Sequence, residues 1–295
     1  MRNTFKILSS LLLILLIALP VILQSQSLKG RKSGDPFRNT QAFVGLWAGS
    51  NFSSVHVLEH YSEFVSLEIN ENVLQDEKEY SALVDNPAFQ MGLSMAFSFN
   101  KSLTVAFNPG FRQLSYSYRS EFVWNDPENP LNYLENKYTH QQDLFYLSLP
   151  LLVRYSPLHK KFSPYLQAGA FYDRMLNAKK SVRTDGLDLA SGGQITFSNV
   201  AQSSDISPLF VKTHVGITAG AGFTYNLGTV MLFMDGQYRY GLHNVSSAAR
   251  RYSASRDLPG FGNVMDDLTL QNIEISLGCY FPLKFLTKDF SPVIL

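Results

Sequence analysis

From residue 89 to 99 the chain alternates without error, with Phe89, Met91, Leu93, Met95, Phe97 and Phe99 on one parity and Gln90, Gly92, Ser94, Ala96 and Ser98 on the other. A helix would scatter these side chains around its axis. A strand gathers the large apolar groups on one face and the small or polar ones on the opposite face. A segment of about 11 residues is also the length a tilted strand needs to cross the hydrocarbon core of a bilayer. Beyond the N-terminal stretch no apolar run approaches the length of a membrane-spanning helix, so strands are the route this chain has across a membrane.

Seven further segments read the same way: residues 44–52, 103–122, 144–155, 165–176, 211–225, 230–243 and 268–281. In the segment over residues 103–122 Val105 and Phe107 share one parity while Leu114, Tyr116 and Tyr118 share the other, so a bulge near Pro109 and Gly110 is expected. The connections between the eight strands run about 35, 3, 20, 9, 34, 4 and 24 residues, the long-short rhythm of an outer-membrane barrel with short periplasmic turns. The expected fold is all-β: an eight-stranded antiparallel up-and-down transmembrane β-barrel with long extracellular loops, including a polar one over residues 192–208. A soluble lipocalin-like barrel has the same strand count but an apolar inner face. Here the small and polar face carries Gly216, Gly220, Asp235, Arg239 and Glu274, which makes it the inner one.

An eight-strand interior has room only for side chains. Gln90, Arg154, Asp235, Gln237, Arg239 and Glu274 are the candidates to fill it. If Asn226 pairs with Thr229, Gly220 faces Asp235 and Gly216 faces Arg239, with Arg239, Asp235 and Glu274 neutralising one another. Tyr116, Tyr118, Trp124, Tyr155 and Tyr165, near strand ends, suit an aromatic girdle.

Arg2 and Lys6 precede an apolar run over residues 7–23 that is followed by Ser25 and Ser27, the pattern of a secretory signal cleaved after Ser27. An uncleaved anchor is the alternative, although Ser9, Ser10 and Pro20 weaken a permanent span. Residues 1–27 are therefore read as signal, 28–41 as a periplasmic segment, 42–281 as the barrel and 282–295 as a periplasmic tail. The net charge of +1 gives no steering toward nucleic acid. Cys279 is the single cysteine, so no intrachain disulfide or cysteine metal framework can form.

Several strings resemble the PorT-like outer-membrane β-barrel family: VGLWAGSNF over residues 44–52, YLSLPLLVRY over 146–155, PYLQAG over 164–169, and GAGFTYNLGTVMLFMDGQYRYGLHN over 220–244. The last includes Arg239, Tyr240, Gly241, Leu242 and Asn244 in the family's spacing. The resemblance spans about residues 42–281 and implies a roughly eight-stranded barrel. The namesake's association with a secretion system implies a role in secretion or surface assembly. Long loops and a tail after Phe281 depart from the family pattern.

The histidines are the first place to look for chemistry. His214 and His243 face inward near the outer rim on neighbouring strands, where a pair could bind a metal or act as a general base. No serine and carboxylate are placed beside them by the sequence, so hydrogen-bonded rim residues are expected. His56, His60 and His140 fall in outer loops and His159 in a periplasmic turn. The acidic residues Glu59, Glu63, Glu68, Glu71, Asp76, Glu77 and Glu79 lack calcium-loop spacing and read as a solvated loop. Lys179, Lys180 and Arg183 read as surface charge able to touch lipid phosphates. The sequence thus points to a non-enzymatic barrel with no cofactor, in contact with outer-membrane lipids and lipopolysaccharide and with protein partners in that membrane. A rim enzyme acting on lipid or peptide is the alternative, marked by a His, a Ser or Asp and a carboxylate within hydrogen-bond reach.

Overall fold

The computed structural model describes residues 42–61, 73–75, 78–83, 85–99, 102–126, 128–129, 131–158, 160–190, 193–228, 230–251 and 264–283. The expected signal and periplasmic segments, the tail from residue 284, the turn residues Asn100 and Lys101, His159, and Glu63, Glu68, Glu71, Asp76 and Glu77 lie outside them.

The strands are β1 (Ala42–Glu59), β2 (Val73–Gln75), β3 (Glu79–Tyr80), β4 (Pro87–Ser98), β5 (Leu103–Phe107), β6 (Gly110–Asn125), β7 (Tyr133–Tyr155), β8 (Phe162–Asp188), β9 (Ile195–Asp205), β10 (Thr213–Asn226), β11 (Met231–Gly241) and β12 (Asp267–Pro282). β5 and β6 together form one barrel strand, interrupted at Asn108 and Pro109. β1 is bonded to β4 on one side and to β12 on the other, so the antiparallel sheet closes into a ring of eight. Closure leaves no edge to satisfy in hydrocarbon.

The parity read from residues 89–99 holds. Phe89, Met91, Met95, Phe97 and Phe99 are 38% to 54% exposed, while Ala88, Gln90, Ser94 and Ala96 are buried. The expected bulge at Pro109 is absent: Met95 pairs with Phe107 and Gly92 with Gly110, so both strands advance by the same number of residues. Val105 and Phe107 point outward, whereas Leu114, Tyr116 and Tyr118 point inward and are buried. The surroundings change, not the register. In the middle of the barrel, where lipid lies outside, the inner face is polar; beyond the membrane, water lies outside and the inner face becomes the apolar one. An inserted residue does occur on β8, where Phe145 pairs with Asn177 and Tyr146 with Met175, leaving Leu176 extra. That insertion turns Lys180 into the interior, correcting its reading as surface charge, while Lys179 and Arg183 stay exposed.

β7 and β8 are 23 and 27 residues long, against the roughly 9 to 11 that a crossing requires. Their outer halves, with the outer half of β6, continue as a sheet beyond the apolar band. β2 and β3 add to its β6 edge and β9 to its β8 edge. The stretch read as a polar loop over residues 192–208 is thus partly strand, and the connection after β6 is much shorter than the 20 residues expected. The girdle reading also needs correction: Tyr116, Tyr118 and Tyr165 are buried inside. Tyr155 does lie among the exposed rings of the short-turn end, with Phe97, Phe99, Phe162 and Tyr225.

The turn from β10 to β11 places Asn226 opposite Met231, closed by Leu227 N–H donating to the Val230 carbonyl at 2.9 Å. Gly228 takes a φ of 97°, which favours glycine. The longer turn slides the expected register by two residues without changing parity, so Gly222 faces Asp235, Gly220 faces Gln237 and Thr218 faces Arg239. A Cβ on Gly222 would sit 2.7 Å from both the Asp235 Cβ and the Tyr165 ring. Gly222→Val is therefore expected to cost about 1 to 3 kcal/mol by overpacking. A lowered urea midpoint for unfolding from lipid vesicles would show it; an unchanged midpoint would mean that Tyr165 moves freely.

Candidate functional site

The interior holds three layers. At the short-turn end Phe43, Trp47, Ala96, Ala106, Leu152, Phe233 and Tyr280 form an apolar floor. At the outer end Leu114, Leu144, Tyr146, Leu268 and Leu270 belong to a second apolar cluster. Each of those leucines is at most 1% exposed, and full burial of such a side chain contributes about 1.5 to 3 kcal/mol. Between the two clusters lies a charged layer.

All six polar residues expected inside are there: Gln90, Arg154, Asp235, Gln237, Arg239 and Glu274 are each at most 9% exposed. Their pairing differs from the expected one. Arg239 Nη2 lies 2.8 Å from Asp173 Oδ2, and its Nε lies 3.5 Å from Glu274 Oε1. Glu274 is held chiefly by Arg112, which donates through both terminal nitrogens, with Nη2 at 2.6 Å from Oε2. Asp235 is not beside Arg239. It accepts from Tyr165 OH at 3.0 Å and from Gln237 Nε2 at 3.1 Å, with Arg154 Nη2 3.5 Å away. Arg154 also donates to Gln167 and Tyr280, and its guanidinium carbon lies 5.0 Å from the Tyr165 ring centroid. Gln90 donates to Ser276 at 3.1 Å.

Arg112, Arg154 and Arg239 thus balance Asp173, Asp235 and Glu274. Buried charges of this kind persist only when paired and hydrogen-bonded. Sequence reasoning missed Arg112 and Asp173. Arg112 was concealed by the bulge wrongly placed before it. Asp173 shares its parity with the buried Tyr165, Gln167 and Phe171, a signal present in the sequence but unused.

The rim histidines do come together, with ring centroids 5.7 Å apart. His243 Nε2 contacts the Thr213 carbonyl at 2.9 Å. His214 is 1% exposed, and its Nδ1 lies 3.7 Å from Asp173 Oδ2, too far for a hydrogen bond. Ser148 Oγ donates to Asp173 at 2.5 Å. A Ser, an Asp and a His are adjacent, but in the wrong order for catalysis. The hydroxyl is bonded to the carboxylate and not to the imidazole, and Arg239 occupies the same carboxylate. The acceptor on the hydroxyl is a carboxylate already paired with Arg239, too weak a base to activate a serine.

A serine–histidine contact that the sequence did not suggest lies in the outer sheet. His140, expected in a loop, is on β7 and 2% exposed, stacked 4.5 Å from the Tyr118 ring. Ser120 Oγ lies 3.0 Å from its Nε2. Burial, then the positive charges of Lys180 and Lys78, lower the His140 pKa to about 2. A base so reluctant to carry a proton, whose Nδ1 has no hydrogen-bond partner among the described residues, does little to activate Ser120. His60 Nδ1 lies 3.6 Å from Asp266, and His56 is exposed on β1. Among the described residues no three His, Cys, Asp or Glu side chains converge as a metal-holding group.

The outer mouth is strapped. Asp266 accepts from Lys78 Nζ at 2.7 Å, Tyr80 OH at 2.6 Å and the Tyr61 amide at 2.8 Å. These contacts tie the connection after β1 to the one before β12. Arg251 pairs with Asp267 and lies over the Tyr61 ring.

A family model described as an outer membrane protein beta-barrel domain matches residues 28–247. Among solved structures, the outer membrane protein OprG from Pseudomonas aeruginosa is similar at 10% identity and a TM-score of 0.37, over 83% of this chain and 96% of that one. Ail, the attachment invasion locus protein of Yersinia pestis, is similar at 12% identity and a TM-score of 0.30, over 82% and 99%. The outer membrane protease OmpT from Escherichia coli is similar at 12% identity and a TM-score of 0.33, over 85% and 99%. No curated protein matches. The chain is an outer-membrane protein and belongs to the outer membrane protein beta-barrel domain family.

Proposed function

We propose that this protein is a non-enzymatic, PorT-like barrel whose side-chain-filled body anchors a β-sheet at the cell surface for contact with other surface molecules. The observation that carries the reading is the continuation of β6, β7 and β8 beyond the apolar band, widened by β2, β3 and β9. Strands hold a recognition face more firmly than loops do. The apolar band is covered by outer-membrane lipid and lipopolysaccharide, and protein partners of a secretion or assembly system would meet the outer sheet or the short turns. The rim-enzyme alternative draws on one contact, Ser120 with His140.

A photo-crosslinking residue placed in living cells at Gln141 on the outer sheet, or at Lys160 in the turn between β7 and β8, separates these locations. Adducts from position 141 are expected, and a cysteine at Gly193 should react with an impermeant reagent on intact cells. Adducts confined to position 160 would move the function to the periplasm. Hydrolysis of phospholipid or peptide by the purified barrel, lost in Ser120→Ala, would replace this reading with the enzymatic one.

A further inference from the structure

We infer that Arg119, Thr139 and Arg183 form a binding site for a phosphate or sulfate ester carried on a saccharide. The inference rests on the outer sheet being a recognition face, and it names the ligand class. Arg119 pairs with Thr139, and Thr139 with Arg183, so the three stand in one row across β6, β7 and β8. Adjacent strands lie about 4.8 Å apart, which puts the two arginine backbones about 10 Å from each other. Two side chains of arginine length can close on one tetrahedral anion over the Thr139 hydroxyl. Guanidinium forks match such an oxyanion in a bidentate way.

Both arginines are exposed, and among the described residues neither side chain has a hydrogen bond or ion pair. The basic neighbour nearest this row on β7 is engaged. Lys137 pairs with Glu135 and lies 3.4 Å from Glu121. Arg112, Arg154 and Arg239 are likewise committed to buried partners.

A groove of about 1210 Å³ runs over this row and is also lined by Glu79, Gln141, Ser181 and Asp185. That volume exceeds the roughly 300 to 1,000 Å³ of a typical small-ligand pocket, and it suits several sugar rings. Carboxylates flanking two arginines disfavour a continuous polyanion. They suit a ligand that offers one anionic ester to the arginines and hydroxyl donors to Glu79 and Asp185. A sugar ester has both features, whether it belongs to lipopolysaccharide or to a sulfated glycan.

The test uses the full-length barrel in lipid nanodiscs, titrated calorimetrically with three probes: a phosphorylated glucosamine disaccharide, a sulfated oligosaccharide and an unsubstituted oligosaccharide. At least one ester should bind, and the unsubstituted sugar should bind much more weakly. Each of Arg119→Gln and Arg183→Gln should weaken the bound ester about tenfold, the size expected for losing a charge-assisted hydrogen bond. The Arg119→Lys, Arg183→Lys double variant should fall between, keeping charge and losing the fork. Binding of the phosphorylated probe alone assigns lipopolysaccharide as the source, and of the sulfated probe alone an external glycan. No ester binding, or equal binding by the Arg119→Gln, Arg183→Gln double variant with an unaltered heat-shifted gel band, would overturn the site. Crosslinks from position 141 that survive in the double variant would then keep the recognition face while removing this ligand.

Discussion

Replacing Glu274 by alanine should destabilise the barrel by about 3 to 5 kcal/mol, the cost of leaving buried charge without its partner. Glu274 is fully buried and holds two cations, Arg112 through both terminal nitrogens and Arg239 through its Nε. Without it two guanidiniums share the mid-barrel with Asp173 alone. Asp235→Ala should cost less, because Arg154 keeps Gln167, the Tyr280 hydroxyl and the faces of Tyr165 and Phe233. The paired replacement Arg112→Met with Glu274→Leu should recover most of the loss, since an apolar pair of similar volume needs no compensating charge. The measurement is the temperature at which the folded band on an unboiled detergent gel gives way to the unfolded one. If Glu274→Ala holds the wild-type midpoint, water reaches the arginines and the layer is not dry.

The same layer shows what was legible in sequence and what was not. Period-2 alternation over residues 89–99 and 211–225 reports one environment on each side of a strand, lipid outside and side chains inside, so those strands and their inner faces could be read directly. It also gave all six polar candidates for the interior. Partners were harder. Arg239 finds Asp173 two strands away, and that contact depends on the β10–β11 register, which a turn two residues longer than assumed had shifted. The outer sheet was hidden for a different reason. Beyond the membrane the outer face of β7 carries Lys137, Thr139 and Gln141, and polar residues facing water look the same in a strand as in a loop. The parity reversal near Gly110 was visible but ambiguous, because a bulge and a change of solvent write the same pattern. Backbone pairing decided for the change of solvent.

The purified protein in planar bilayers should show no steady porin-like conductance, and charge removal alone should not create one. Three closures act in series. The floor packs Trp47, Phe233 and Tyr280 across the short-turn end. The charged layer then fills the middle. Its guanidiniums and carboxylates are paired as ions, and a permeating ion would have to break those pairs while shedding its own water. Above it Leu114, Leu144, Leu268 and Leu270 close the outer end with side chains that offer an ion nothing in exchange for water. An eight-strand ring has no spare width around such a filling. In the Asp235→Ala, Glu274→Ala double variant the two apolar clusters remain, so the barrel should unfold at a lower temperature and still not conduct. Adding Leu114→Ala and Leu144→Ala to that double variant should give transient, irregular openings at most, because the Asp266 strap and the floor survive. Large single-step conductance from the unmodified protein would defeat this account, since an ion path would then have to run through an oligomer or a wider ring than the pairing of β1 with β12 closes.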